Sequence, residues 1–512
     1  MRDIRLDSRS ESRNFHFSKK NMSQPILNLD ELKTLEERMT HALGEGELMR
    51  RAGSTLAEEI ASVTPPSGHV VFICGPGNNG GDGFTAARIL LARGFRVTCA
   101  LIGCDKPKAQ DARNAYEAWE KAGGTTIADP YSAAKADTVV DALFGTGARG
   151  ALKGDFLDAA LWFNERQATH ISVDIPSGLD SMTGFWLGGI KGCRADITVS
   201  FFAPKAGCFM NEGVDATGSV HVKELDVSVP LTQLSLIDTD DFVHLTETRS
   251  KNSHKGLFGH VAVVGGDVGT VGAAYLAARA ALLLGAGRVT CELMAGNAPL
   301  VDPLFPELMF AADPIDLTKT TCNIVGCGMG FSPRALGRLK EAIAADVPLV
   351  VDADALRALA RDLKLQDALL ARRAHTVITP HPGEAAELLH RTVDAVLADR
   401  IGAARELAVQ TGAITVLKGA GTVVALRSSR TWINPIANGS LATAGSGDVL
   451  SGMLGAFFAQ GFDLVTATLG AVWLHGAGVQ DRTAGVTAGA LAPRAAALLD
   501  QLRRHRQAAH LR

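Results

Sequence analysis

The chain has no Cys-x-x-Cys pair among its eight cysteines and no uninterrupted apolar run of bilayer-spanning length. The first absence excludes the usual spacing of a zinc site or a redox dithiol. Cys74, Cys99, Cys104, Cys193, Cys208, Cys291, Cys322 and Cys327 sit mostly in apolar or glycine-rich runs, which suits small buried side chains in a reducing compartment. The longest uncharged stretches, 449–462 and 464–480, are too short or are broken by glycine and His475, and read as buried helices. Charge of one sign is also missing. With 51 basic and 54 acidic residues the net charge is −3, so no global attraction to nucleic acid or membrane is expected. The basic tail Arg503-Arg-His-Arg506 reads as a solvated end. Residues 1–20 lack the apolar core of a secretory signal, which leaves 1–24 as a flexible extension and the cytoplasm as the expected location.

What is present is a globular composition, 46% hydrophobic and 21% charged, over 512 residues. That length exceeds one ordinary core and calls for two or three domains. Residues 29–60 carry helical periodicity and predict two opening helices. Short β-rich runs at 70–74, 97–102, 138–143, 170–174 and 197–201 then alternate with helical segments at 84–93, 109–121 and 157–164. Alternation of this kind implies βαβ units, a parallel sheet covered on both faces, and a ligand crevice at the carboxyl ends of its strands. Periodicity is lost at 228–240, where the domain boundary is placed, and α/β alternation resumes from 260.

Two glycine-rich loops stand out. The first is Gly75-Pro-Gly-Asn-Asn-Gly-Gly-Asp-Gly83, which lacks both the full dinucleotide fingerprint and the Gly-Lys-Ser/Thr ending of a P-loop. Its glycines allow close backbone approach, and amides at a helix start can hold phosphate. Asn78 and Asn79 add neutral contacts, and Asp82 offers an acceptor to a sugar hydroxyl. Asp141 and Asp174-Ile-Pro-Ser-Gly178 fall at further strand ends. The second loop is Ala444-Gly-Ser-Gly-Asp448, running into an apolar helix. There Asp448 can deprotonate a hydroxyl as it meets a phosphoryl group held by backbone amides.

The first half, from Leu48-Met-Arg-Arg-Ala-Gly53 through Asp174-Ile-Pro-Ser-Gly-Leu-Asp180 to Phe201-Phe-Ala-Pro-Lys205, resembles the N-terminal domain of the bifunctional NAD(P)H-hydrate repair enzymes. The resemblance implies epimerisation of the R and S forms of hydrated NADH and NADPH. It places Asn78, Asn79, Gly80, Gly81, Asp82, Asp174 and the run Gly145, Thr146, Gly147, Ala148, Arg149, Gly150, Ala151 at the substrate. Asn79, Asp141 and Ser177 match the family's potassium ligands, and oxygen donors suit a hard monovalent cation. Asp174 is the preferred acid/base residue.

In the second half the Gly-x-Gly-Asp loop resembles the ribokinase-like fold. Gly265-Gly-Asp267, Val351-Asp-Ala-Asp-Ala-Leu356, Thr379-Pro-His-Pro-Gly-Glu384 and Lys418-Gly-Ala-Gly-Thr422 resemble the dehydratase domain of the same repair enzymes. The implied reaction is ADP-dependent conversion of the S hydrate to the dinucleotide. The family pattern puts Lys418, Gly419, Ala420, Gly421, Thr422 and Gly447 at ADP, and Ala273, Gly330, His381 and catalytic Asp448 at the hydrate. Asp352 and Asp354 read as structural or metal-facing, which leaves room for magnesium in this half. Ala444 stands where a second glycine is usual.

The expected architecture is therefore α/β, with a Rossmann-like three-layer domain at 25–232 and a ribokinase-like α/β domain at 233–512. The expected partners are NADHX, NADPHX and ADP, without nucleic acid or membrane, in a homo-oligomer. Two other readings stay open on sequence: a small-molecule kinase with a regulatory N-terminal domain, and an N-terminal half that is only a binding scaffold.

Overall fold

The computed structural model describes residues 24–510, so the expected extension at 1–24 lies almost wholly outside the described residues. The first sheet comprises β1 (His69–Cys74), β2 (Arg96–Leu101), β3 (Thr125–Ile127), β4 (Thr138–Ala142), β5 (Thr169–Val173), β6 (Ile197–Phe201) and β7 (Ser219–Lys223). Their order is β3-β2-β1-β4-β5-β6-β7, and every adjacent pair is parallel. β1 is buried along its whole length, as a strand covered on both faces must be. Val70 and Phe72 pack with Leu56, Ile60, Phe84 and Trp119 from the helices on one face. Val71 and Ile73 pack with Trp162 and Phe163 on the other.

The helix after β1 begins at Asn78, not at residue 84 as the apolar periodicity predicts. Glycine is a poor helix former, yet here close packing requires it. A Cβ on Gly80 would lie 2.1 Å from the Gly75 carbonyl oxygen, and one on Gly81 would lie 2.5 Å from the Met49 side chain. The glycine-rich "loop" is therefore mostly the first turns of a helix pressed onto its neighbours.

The second sheet has ten strands: β8 (Leu234–Leu236), β9 (His260–Gly265), β10 (Arg288–Leu293), β11 (Met309–Phe310), β12 (Cys322–Val325), β13 (Leu349–Val351), β14 (Thr376–Ile378), β15 (Ile414–Leu417), β16 (Val423–Ala425) and β17 (Thr431–Ile433). The order is β11-β10-β9-β12-β13-β14-β15-β16-β17-β8, parallel except around β16. The apolar helices Ser446–Ala459 and Leu464–Ala477 are buried against it.

β8 lies inside the segment where sequence periodicity fades, and it belongs to the second sheet. Its other edge receives the start of the first half. Ile26 N–H donates to Leu234 O at 2.8 Å, and Leu236 N–H donates to Gln24 O at 2.9 Å. Ile26, Ala206 and Met210 share a core with Leu234, Leu417 and Val423, so the halves are joined by buried apolar surface.

Candidate active sites

The order of the first sheet reverses between β1 and β4, the position at which an open parallel sheet leaves a crevice. A cavity of about 1050 Å³ opens there. Asn78, Asn79, Asp82, Asp174 and all of residues 145–151 line it. Gly80 and Gly81 do not; they face the packing contacts described above. The helix Asn78–Ala92 starts at Gly77 with no side-chain cap, which leaves its first amides for a ligand. A Cβ on Gly145 would meet Asn79 Oδ1 at 3.2 Å and Asp174 Oδ2 at 3.3 Å, so these three residues converge.

Asp174 follows β5 with φ +66°, an uncommon backbone state for a residue with a side chain. Its N–H donates to Val199 O at 2.7 Å, and its Oδ1 lies 2.6 Å from Lys205 Nζ. Lys205 is 5% exposed, lines the cavity, and also donates to Phe201 O and Ala203 O. It was visible in sequence only as the last residue of the Phe201-Phe-Ala-Pro-Lys205 motif. Glu36 and Lys33 reach the same cavity from the helix Leu29–Leu43 and had no sequence signal beyond helical periodicity.

Burial pushes the Asp82 carboxyl well up, and the neighbouring Asp174, Glu36 and Asp111 charges push the same way. Both effects favour the neutral form of the Asp82 carboxyl. Asp141 is fully buried, and burial raises its carboxyl too. It accepts from Ser177 Oγ at 2.6 Å, Ser177 N–H at 2.8 Å, Ser172 Oγ at 3.0 Å and Leu143 N–H at 3.2 Å. Among the described residues no cationic side chain pairs with Asp141, and the buried Asn79 Nδ2 has no hydrogen-bond partner.

In the second half, residues following β12, β13, β14 and β15 meet the start of helix Ser446–Ala459. Cys327 Sγ and the carboxylates of Asp352 and Asp448 lie within 4.8 Å of one another. Burial, then the Asp352 charge, raises the Asp448 carboxyl to about 6, while the Cys327 thiol hydrogen bond pulls it down. Asp352 is neutralised by Lys418 Nζ at 2.9 Å and accepts from Ser451 Oγ at 2.8 Å. A Cβ on Gly447 would lie 3.2 Å from Lys418 Nζ, so that glycine faces the same cluster. Gly445 takes φ +88° at the helix cap, whereas Ala444 has no positive φ and its methyl adds no strain.

Asp354 does not reach the cluster as a free anion; its Oδ2 accepts from Gly330 N–H at 2.9 Å. Gly330, at φ +69°, backs onto Asp267, and Ala273 lies in the first turn of helix Val271–Leu283. His381 caps helix Pro382–Leu389, its Nδ1 accepting from Gly383 and Glu384 N–H, with Nε2 3.2 Å from Glu384 Oε1. Sequence reasoning missed Cys327 and His475. The latter is a half-buried imidazole whose pKa desolvation lowers to about 4, and its Nε2 bonds Ser446 O at 2.9 Å beneath the glycine turn.

The two α/β halves each bring acidic side chains to the carboxyl ends of a largely parallel sheet. Residues 45–207 match the family described as YjeF-related protein N-terminus, and residues 261–500 match the NAD(P)H-hydrate dehydratase family. The bifunctional NAD(P)H-hydrate repair enzyme Nnr of Escherichia coli (strain K12) is 36% identical over 481 residues, covering 90% of this chain and 91% of that protein. Its counterpart from Moorella thermoacetica is 37% identical over 473 residues, covering 84% and 87%. Among solved structures, the ADP/ATP-dependent NAD(P)H-hydrate dehydratase of Bacillus subtilis, co-crystallised with ATP/Mg2+, is 28% identical. It covers 51% of this chain and 96% of its own, with TM-score 0.46. The chain belongs to the family of bifunctional NAD(P)H-hydrate repair enzymes. Because the kinship spans both halves, it displaces the kinase and scaffold readings.

Proposed function

We propose that the chain repairs hydrated NADH and NADPH in two steps, dividing near residues 232/233. The N-terminal half interconverts the R and S hydrates, and the C-terminal half dehydrates the S form at the expense of ADP. One observation supports this best: in a chain related along nearly its whole length to such enzymes, each half holds a buried carboxylate paired with a lysine, Asp174 with Lys205 and Asp352 with Lys418, the latter next to Asp448.

In the first site Asp174 takes the proton of the C6 hydroxyl as the C6–N1 bond breaks, its electron pair passing to N1, which takes a proton; reclosure of the resulting aldehyde from its other face reverses the transfers and inverts C6. The 1050 Å³ cavity holds the hydrate, with Asn78, Asn79 and residues 145–151 as its walls. Potassium fits the uncompensated Asp141 carboxylate, with Ser177 and Asn79 as the other ligands. The buried Asn79 amide, whose Nδ2 has no hydrogen-bond partner, supports this as a polar group left without a bond. When bound, the cation supplies the positive charge that the buried carboxylate lacks.

In the second site Asp448 removes the hydroxyl proton of the S hydrate, and the oxygen takes the terminal phosphoryl of ADP, releasing AMP. The ring nitrogen then expels phosphate, and loss of a C5 proton restores the dihydropyridine. Lys418, Gly419, Ala420, Gly421, Thr422 and Gly447 hold the nucleotide, while Ala273, Gly330 and His381 surround the hydrate. Cys327, Asp352 and Asp448 make a poor resident magnesium site, because the Lys418 ammonium already occupies the cation position beside Asp352. Magnesium accordingly enters with the nucleotide phosphates. Among the described residues no helix is long and apolar enough to cross a membrane; a cytoplasmic location and a homo-oligomer are parts of the same proposal.

The test is the return of dihydronicotinamide absorbance from mixed R and S hydrates with ADP, ATP or neither. Full recovery should require nucleotide, and recovery at the same rate without it would reject the dehydration scheme.

A further inference from the structure

Arg400 opens the helix Arg400–Thr411 and is 2% exposed, yet no carboxylate pairs with it among the described residues. An unpaired buried cation is costly, so its hydrogen bonds must offset the lost hydration. Its guanidinium donates to Ala420 O and, at 3.4 Å each, to Leu417 O and Lys418 O. Thr422 Oγ1 takes the Gly419 carbonyl at 3.1 Å, and Asn434 N–H takes that of Thr422 at 2.9 Å. By contrast, the N–H groups of Gly419, Ala420, Gly421 and Thr422 have no acceptor among the described residues. In this loop the carbonyls of Gly419, Ala420 and Thr422 are taken, while the four consecutive amides have no acceptor among the described residues.

The geometry points to Arg400 as the positioning residue of the nucleotide loop: it holds the carbonyls of Lys418 and Ala420 and, because a trans peptide directs its N–H opposite its C=O, sets the direction of the Gly419 and Gly421 N–H groups. The result is a backbone nest for acceptor-rich groups, the surface a nucleoside diphosphate presents. The charge fits as well, since Lys418 is balanced by Asp352 while Arg400 has no counter-ion until an anion arrives. Gly419 is required by the same arrangement: with φ +145°, its Cβ would lie 2.7 Å from Arg400 Nη2. Arg400 does not reach the cluster around Asp448, so it acts through the loop.

This rests on the assignment of residues 418–422 to ADP, and the two can be tested apart. In the full chain, Arg400→Met should raise the KM for ADP at least about tenfold through the loss of ordered amide contacts. The kcat at saturating ADP and the KM for the hydrate should stay within about twofold, and epimerase activity should be unchanged, which reports folding. Arg400→Gln carries the same criteria if the methionine variant does not fold. An unchanged KM for ADP, or a fall in kcat together with a rise in both KM values, overturns the role of Arg400. Hydrogen exchange on the wild-type chain tests the underlying assignment: ADP should slow exchange of the 419–422 amides. If ADP leaves them unprotected, the loop assignment fails with the inference; protection with an unchanged KM in the variants sinks only the inference.

Discussion

Lys205 Nζ lies 2.6 Å from Asp174 Oδ1, and the other ammonium donors are taken by the carbonyls of Phe201 and Ala203. The lysine has no donor left for a substrate, so it acts by fixing the carboxylate that its own strand neighbour presents. Lys205→Met should lower epimerase turnover by about 10²-fold or more while leaving dehydration of pure S hydrate intact. It should also cost about 3–5 kcal/mol of stability by stranding a buried charge, and Lys205→Met/Asp174→Asn should regain most of that without regaining activity. Thermal unfolding together with epimer interconversion checks both halves. An active Lys205→Met variant would remove the pair from catalysis. Asp174→Ala, for its part, should restrict rapid recovery to the S fraction of a mixed substrate.

The Asp448 carboxyl, raised to about 6 chiefly by burial, must be ionised to act as a base. Dehydratase kcat/KM should therefore be flat above that pH and fall about tenfold per unit below it. The Cys327 thiol donates to Asp448 and favours its ionised form, so Cys327→Ala should carry the acidic limb to higher pH. The epimerase profile of the same variant provides the control. A limb that stays in place would show that the thiol does not tune the base.

Stability should run opposite to activity at this residue. A carboxyl with a pKa near 6 when folded and near 3.8 when unfolded binds protons more tightly in the folded state between those values. Stability is thus fully present below about 3.8 and is lost as pH rises through about 6. Asp448→Asn removes that penalty and should gain about 1–3 kcal/mol at pH 7, shrinking toward zero near pH 4, while abolishing nucleotide-dependent recovery. Denaturant midpoints at the two pH values measure the difference, and a less stable variant at pH 7 would contradict it.

Asp141 is held by hydrogen bonds from Ser177, Ser172 and Leu143, with no ionic partner among the described residues. Exchanging potassium for tetramethylammonium, too large for the site, should lower both epimerase rate and melting temperature. In Asp141→Asn the melting temperature should no longer respond to the exchange. A wild-type chain indifferent to potassium in both readouts would leave Asp141 with a purely structural role.

The parallel α/β architecture was legible because buried parallel strands read as continuous apolar runs, as in His69–Cys74 and His260–Gly265. Asp141, Asp174 and Asp448 were legible because strand ends and glycine turns carry local signals. The start of the helix at Asn78 was not, since propensity argues against glycine there and only the approach of Gly75 and Met49 explains it. Strands β8, β16 and β17, three residues each, are too short to show periodicity. Glu36 reaches the cavity from a helix far from it in sequence, and Cys327 sits in a glycine run that gives no hint of Asp448.

The sequence by itself determined that there are two α/β halves, which residues stand at their strand ends, and to which family the motifs belong. Those properties are local, carried by runs of apolar side chains and by residues adjacent in the chain. The tertiary structure alone decided which charges meet. Asp174 with Lys205, Asp448 with Cys327, and Arg400 with the carbonyls of its loop are all contacts between separate segments. It also showed the halves to be joined, as residues 24–26 pair with β8 across more than two hundred positions of chain. The reason is physical: whether a carboxyl serves as an acid, a base or a strut depends on its burial and its partners, and both are set by packing.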